Sequence, residues 1–158
     1  MVPLLICERK GRWAADWRRL AVSRADHWPR ARLMEVRLED ECLAALASAP
    51  AAMVLLECTA ASLPGRLALM EKIDRLYPEA LCVAAVDPGL EPWHDLLREF
   101  GAVHLVTSPL GLVQLAQMLT RREVPDAAHG DTLRSRIWNR LPWPQAAERV
   151  RGGSPAAT

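Results

Sequence analysis

Lysine is nearly missing from this chain: Lys10 and Lys72 are the exceptions among 20 basic residues, and 19 acidic residues leave a formal net charge of +1. A chain so balanced has no overall field to gather nucleic acid or an anionic membrane, so any such contact must be local. The four cysteines include no CxxC pair. That excludes a small disulfide framework and a zinc site, and it points to a reducing cytosol. His27, His94, His104 and His129 have no metal-ligand spacing, and no glycine-rich phosphate loop is present. Long apolar runs are absent too. The first one ends at Glu8, Arg9 and Lys10, too short for a signal or transmembrane helix. Cys58 begins a loop containing Arg66, as in a cysteine phosphatase, but seven residues intervene, more than that loop allows.

What is present is a repeating pattern organised around residues 52–66. Met53, Val54, Leu55 and Leu56 form an apolar run with no polar alternation, as in a strand buried on both faces. The run stops at Glu57 and opens into small residues, and Pro64 then starts a helical pattern carrying Leu69, Met70, Ile73 and Leu76. Ahead of it, residues 2–7 read as a strand, and Trp13, Trp17, Leu20 and Ala21 as one helical stripe. Trp28 is placed to cover the edge before the second strand. Met34, Val36 and Leu38 alternate with Glu35 and Arg37, which describes an edge strand with one wet face. A helix over 39–48 follows, with Asp40 as its cap and Leu43, Leu46 and Ala47 inward.

Beyond the central unit, residues 81–86 form another buried strand, and a helix over 91–100 turns Trp93, Leu96, Leu97 and Phe100 inward before Gly101 caps it. Residues 103–107 are the last strand. Ser108 and Pro109 begin the last helix, with Leu112, Val113, Leu115, Ala116 and Leu119 toward the sheet and Arg121 and Arg122 at its C-terminus. Five strands alternating with five helices specify an α/β fold with helices on both faces of a parallel sheet. Its ligand edge lies at the carboxyl ends of the strands, where Cys7, Glu8, Glu57 and Asp87 fall. Cys7 and Cys58 both end strands and are candidates for a redox pair, against the commoner case of buried inert thiols.

Over residues 1–122 the pattern resembles the receiver domain of bacterial two-component response regulators, a flavodoxin-like (βα)5 fold with strand order 2-1-3-4-5. The resemblance rests on an acid ending the third strand with a glycine eight residues later, Glu57 and Gly65, on Gly101 before the last strand, and on Ser108-Pro109 after it. It implies a phosphorylation site at Cys7, Glu8, Glu57, Asp87 and Ser108, and each of these positions except Glu8 departs from the receiver's residue. The first strand offers Cys7-Glu8 in place of two acids, Glu57 replaces the acceptor aspartate, Asp87 stands near a hydroxyl position, and Ser108 replaces a lysine. Phosphoryl transfer depends on placement and charge neutralisation, and a misplacement of roughly 1 Å costs about 10²-fold. Glutamate, with one extra methylene, is misplaced on that scale. The expectation is a pseudo-receiver with no catalytic residue, no cofactor and no metal. Glu8, Glu57 and Asp87 close together require one carboxyl to be protonated or cation-bound, with Arg9 or Lys10 supplying the charge, unless all point into solvent. The resemblance also implies docking or dimerisation through the fourth helix, last strand and last helix, around Trp93, His104 and residues 110–120.

Residues 123–158 form a tail of different composition, linker-like at first. At about 131–143 a short amphipathic segment carries Leu133, Ile137, Trp138 and Leu141 on one side and Arg134, Arg136 and Arg140 elsewhere, with Trp143 beyond. Trp138, Leu141, Trp143, Arg136 and Arg140 are its candidate partner-binding residues, and covering its own domain is the alternative. The 36 residues after Arg122 are too few for a helix-turn-helix output module. Together these features give a cytoplasmic, phosphorylation-independent interaction module, with no nucleic acid partner and no transmembrane segment. The alternative is a domain, binding or catalytic, that takes a small molecule or divalent metal in an acidic strand-end cleft.

Overall fold

The computed structural model describes residues 2–123. They fall within one compact unit, Met1–Val124. The tail segment with Trp138, Leu141, Trp143, Arg136 and Arg140 lies outside the described residues.

Apolar runs bounded by charge, proline or glycine become five parallel strands: β1 (Pro3–Cys7), β2 (Arg32–Val36), β3 (Met53–Cys58), β4 (Leu81–Val86) and β5 (Ala102–Val106). They alternate with α1 (Arg12–Ser23), α2 (Glu39–Ser48), α3 (Leu63–Leu76), α4 (His94–Glu99) and α5 (Leu112–Glu123). The sheet order is β2-β1-β3-β4-β5, the flavodoxin-like arrangement. In register, Cys7 lies opposite Leu56, and Glu57 opposite Ala85, so the ends of β1, β3 and β4 share one edge.

Alternation along the strands sorts the core into two layers. Leu5, Cys7, Val54 and Leu56 pack with Cys42 and Leu46 of α2, Leu69, Met70 and Ile73 of α3, and Leu97 of α4. Leu4, Ile6, Met53 and Leu55 face Trp13, Ala14 and Trp17 of α1, and Leu112, Leu115 and Leu119 of α5. Every residue of β3 is buried, as a central strand requires. Trp28 packs in the second layer, its ring centroid 4.7 Å from that of Trp17.

Several local expectations are corrected. β2 stops at Val36 and leaves Leu38 exposed, because the backbone N–H groups of Arg37 and Leu38 donate to Glu41 Oε2 at 2.8 and 3.1 Å and leave the ladder. Glu41, three residues after Leu38, therefore caps α2 in place of Asp40. Cys42 is buried where Ala47 was expected, and Ala47 is exposed. Leu76 is exposed, and Tyr77 packs against the layer with its hydroxyl donating to Leu43 O. The fourth helix begins only at His94, after a 3₁₀ turn over Glu91–Trp93 that rotates Trp93 off the buried stripe and leaves it 46% exposed. A second 3₁₀ turn, Pro109–Gly111, precedes α5, and Val113 is only half-buried.

Candidate functional site at the strand ends

Glu8 follows β1 directly and is 2% exposed. Its two carboxylate oxygens accept from Trp13 N–H at 2.8 Å and Ala14 N–H at 2.7 Å, two of the donors left unpaired at the start of α1. The chain reaches this geometry by turning at Gly11, whose φ of 75° lies in the left-handed region that glycine occupies at little cost. Glu8 is thus a helix-capping carboxylate held from outside the helix, where the dipole also favours negative charge.

Glu57, at 7% exposure, accepts a hydrogen bond from the Arg9 backbone N–H at 2.9 Å through Oε2. The Arg9 carbonyl in turn accepts from Arg37 Nη1. Asp87, just past β4, pairs with Arg12 at 2.8 Å. Ser108 is exposed and caps no helix through its hydroxyl, and no described hydrogen bond links it to Glu57 or Asp87. Arg9 meets Glu57 through its backbone N–H, and the guanidinium paired with Asp87 is that of Arg12; Arg9 and Lys10 line the same cleft as both acids. The acids do not simply point into solvent, since Glu8 and Glu57 are buried.

Arg66 was not expected as a site residue. It is 4% exposed, its Nε donates to Glu57 O at 3.0 Å, and its Nη1 approaches Cys7 Sγ at 3.2 Å. Its signal in the sequence was a charge on an apolar stripe, between Leu63 and Leu69 of α3. The Cys7 thiol is pulled down to about 7, first by its hydrogen bond with Cys42 and then by the charge and hydrogen bond of Arg66, against burial, which acts upward. The Cys42 thiol is pushed up by the same bond and by burial. Burial pushes Cys58 and Cys82 up to about 12. All four cysteines are free and buried. Cys7 and Cys58 are not bonded to each other; their thiols donate to Leu38 O and Leu56 O.

Two clefts open at this edge. One, of about 370 Å³, is lined by Arg9, Lys10, Arg12, Glu57, Thr59 and Asp87. The other, of about 350 Å³, is lined by Arg9, Arg37, Glu39, Ser62, Gly65 and Arg66 among others. Neither is the acidic cleft expected for a divalent ion. Among the described residues no group of three His, Cys, Asp or Glu side chains is placed to hold a metal.

No family model matches the sequence, and no curated protein is similar to it at a significant level. Solved structures do match. The CheY-like protein TadZ of Pseudomonas aeruginosa shares 19% identity with a TM-score of 0.57, covering 75% of this chain and 99% of that one. A pilus assembly-related protein of Burkholderia pseudomallei shares 17% identity at a TM-score of 0.57, over 77% of this chain and 91% of that one. NtrX of Brucella abortus, solved with ADP, shares 22% identity at 0.56, over 80% of this chain but 29% of NtrX. The fold is receiver-like. In this receiver-like domain, the strand-end edge is the one on which Cys7, Glu8, Glu57 and Asp87 converge. No helix among the described residues is long and apolar enough to cross a membrane.

Proposed function

We propose that this receiver-like domain is a phosphorylation-independent protein–protein interaction module of a bacterial signalling or regulatory assembly, cytoplasmic and without catalytic activity. One observation carries the proposal. The Glu8 carboxylate, whose position corresponds to a receiver's metal-holding acid, has both oxygens bonded to N–H groups of α1. Glu57 Oε2 accepts from the Arg9 N–H and Asp87 pairs with Arg12, and among the described residues no group of three His, Cys, Asp or Glu is placed to hold a metal. The similarity to a CheY-like protein and to a pilus assembly-related protein supports a place in a multi-protein assembly. On this proposal Cys7, Glu8, Glu57, Asp87 and Ser108 are vestiges of a phosphorylation site. Trp138, Leu141, Trp143, Arg136 and Arg140, outside the described residues, anchor the tail on a partner. The exposed Trp93 and the face of α4, β5 and α5 are a second candidate surface.

The test is incubation with magnesium and acetyl phosphate followed by intact-mass measurement. The expected result is an unchanged mass. A stable phosphoryl adduct that Glu57→Gln abolishes would overturn the proposal.

A further inference from the structure

We infer that the strand-end edge of this domain is a docking groove for an extended acidic segment of a partner protein. The inference rests on the interaction role proposed above and specifies the chemistry of the partner. The two clefts described at this edge share Arg9 and together are lined by five cationic side chains, Arg9, Lys10, Arg12, Arg37 and Arg66, against three carboxylates, Glu39, Glu57 and Asp87. Arg66 is buried and donates to Glu57 O, and Arg12 is paired with Asp87, so Arg9, Lys10 and Arg37 are the exposed cations left facing the clefts, against Glu39 and the Glu57 carboxylate that accepts from the Arg9 N–H. The fourth acid of the edge, Glu8, is buried with both oxygens bonded to the start of α1 and does not line either cleft. Arg9 and Lys10 are exposed, and among the described residues neither side chain has an ion-pair partner. The edge of a nearly neutral molecule therefore carries a local positive excess.

The groove is also held in shape. The backbone of residue 9 is held on both sides of its Cα, by Glu57 accepting from its N–H and Arg37 donating to its carbonyl. Its guanidinium is thereby presented between the clefts from a fixed backbone, which lowers the ordering cost of pairing it. From Asp87 after β4 to Arg37 after β2 the edge crosses three strand spacings, roughly 14 Å at about 4.8 Å each, the length of about four residues of extended chain. Arginines at such intervals suit successive carboxylates, which a guanidinium binds through two parallel N–H bonds. A single small anion would use only one of the clefts.

The test uses the full chain and a fluorescein-labelled Asp/Glu peptide of about six residues, with a Lys peptide of the same length as comparison, read by anisotropy. The acidic peptide is expected to bind at least about tenfold more tightly than the Lys peptide and to weaken as salt is raised. Arg9→Glu combined with Lys10→Glu, two exposed positions, should weaken it about tenfold or more, while Arg75→Glu at the far end of α3 should leave it within about twofold. Equal binding of the two peptides, or affinity unmoved by the double reversal in a variant with wild-type melting behaviour, would overturn the groove. So would inorganic pyrophosphate binding more tightly than the acidic peptide, which would make this a small-anion site. Either failure leaves the mass-spectrometric test of phosphorylation independence untouched, so the two proposals fall separately.

Discussion

Single side chains at the strand-end edge have been given structural work, and that work is measurable. Glu8 satisfies two N–H donors of α1, so Glu8→Ala should lower stability by about 1–2 kcal/mol, the upper part of the range for a lost helix cap. Glu8→Gln keeps one acceptor oxygen and should cost less. Thermal melts of the two variants decide this, and equal losses would remove Glu8 from its capping role. Cys7 should titrate about neutrality, visible as ultraviolet thiolate absorbance that rises through about pH 7 in the wild type and is lost in Cys7→Ser. Arg66→Met should move that midpoint upward. The signs for stability follow from linkage. The lowered Cys7 contributes stability that is present above the ordinary thiol range and lost as pH falls through about 7. The raised Cys58 and Cys82 contribute stability that is full below the ordinary thiol range and lost as pH rises toward about 12. The melting temperature should therefore fall at alkaline pH, and fall less in Cys58→Ala or Cys82→Ala.

At the scale of elements, α4 is the weakest link. It spans only six residues after a 3₁₀ turn, and it hands over to β5 through Gly101 at a φ of 104°, with the Gly101 N–H donating to Arg98 O. Gly101→Ala should cost about 1–2 kcal/mol from the left-handed conformation, with no clash because nothing lies within 4 Å of an added Cβ. Hydrogen exchange should be faster in α4 than in α3. The same contrast separates what the sequence could reveal from what it could not. Strands such as Met53–Cys58, and long helices such as Leu63–Leu76, announce themselves because burial on both faces or on one stripe dictates the residue pattern. Trp93 and Leu38 were misplaced because a 3₁₀ turn and a carboxylate from the next helix decided their orientation, and neither leaves a period. The candidate site was legible as a set of strand-end positions. Its charge was not, because Glu8 is claimed by the first turn of the next helix, and Arg12 and Arg66 are held by Asp87 and Cys7, distant in sequence.

At the scale of the whole molecule, the compact unit Met1–Val124 contains all five strands and all five helices described. A version ending at Arg122 should unfold in one cooperative transition, checked by coincident circular dichroism and fluorescence melts. On the proposed docking role of the tail, that version should also lose partner capture from a lysate while keeping its melting temperature.

The strand order has a further consequence for the order of synthesis. β1 lies inside the sheet between β2 and β3, yet β2 is made before β3, with α2 between them. While the chain is emerging from the ribosome, the β1–β2 pair must carry Leu4, Leu5 and Ile6 with one ladder edge of β1 unclaimed. That is the exposed apolar edge on which chains aggregate. A fragment ending before Met53 should accordingly be insoluble, and a pause in translation just short of β3 should make this protein a client of chaperones.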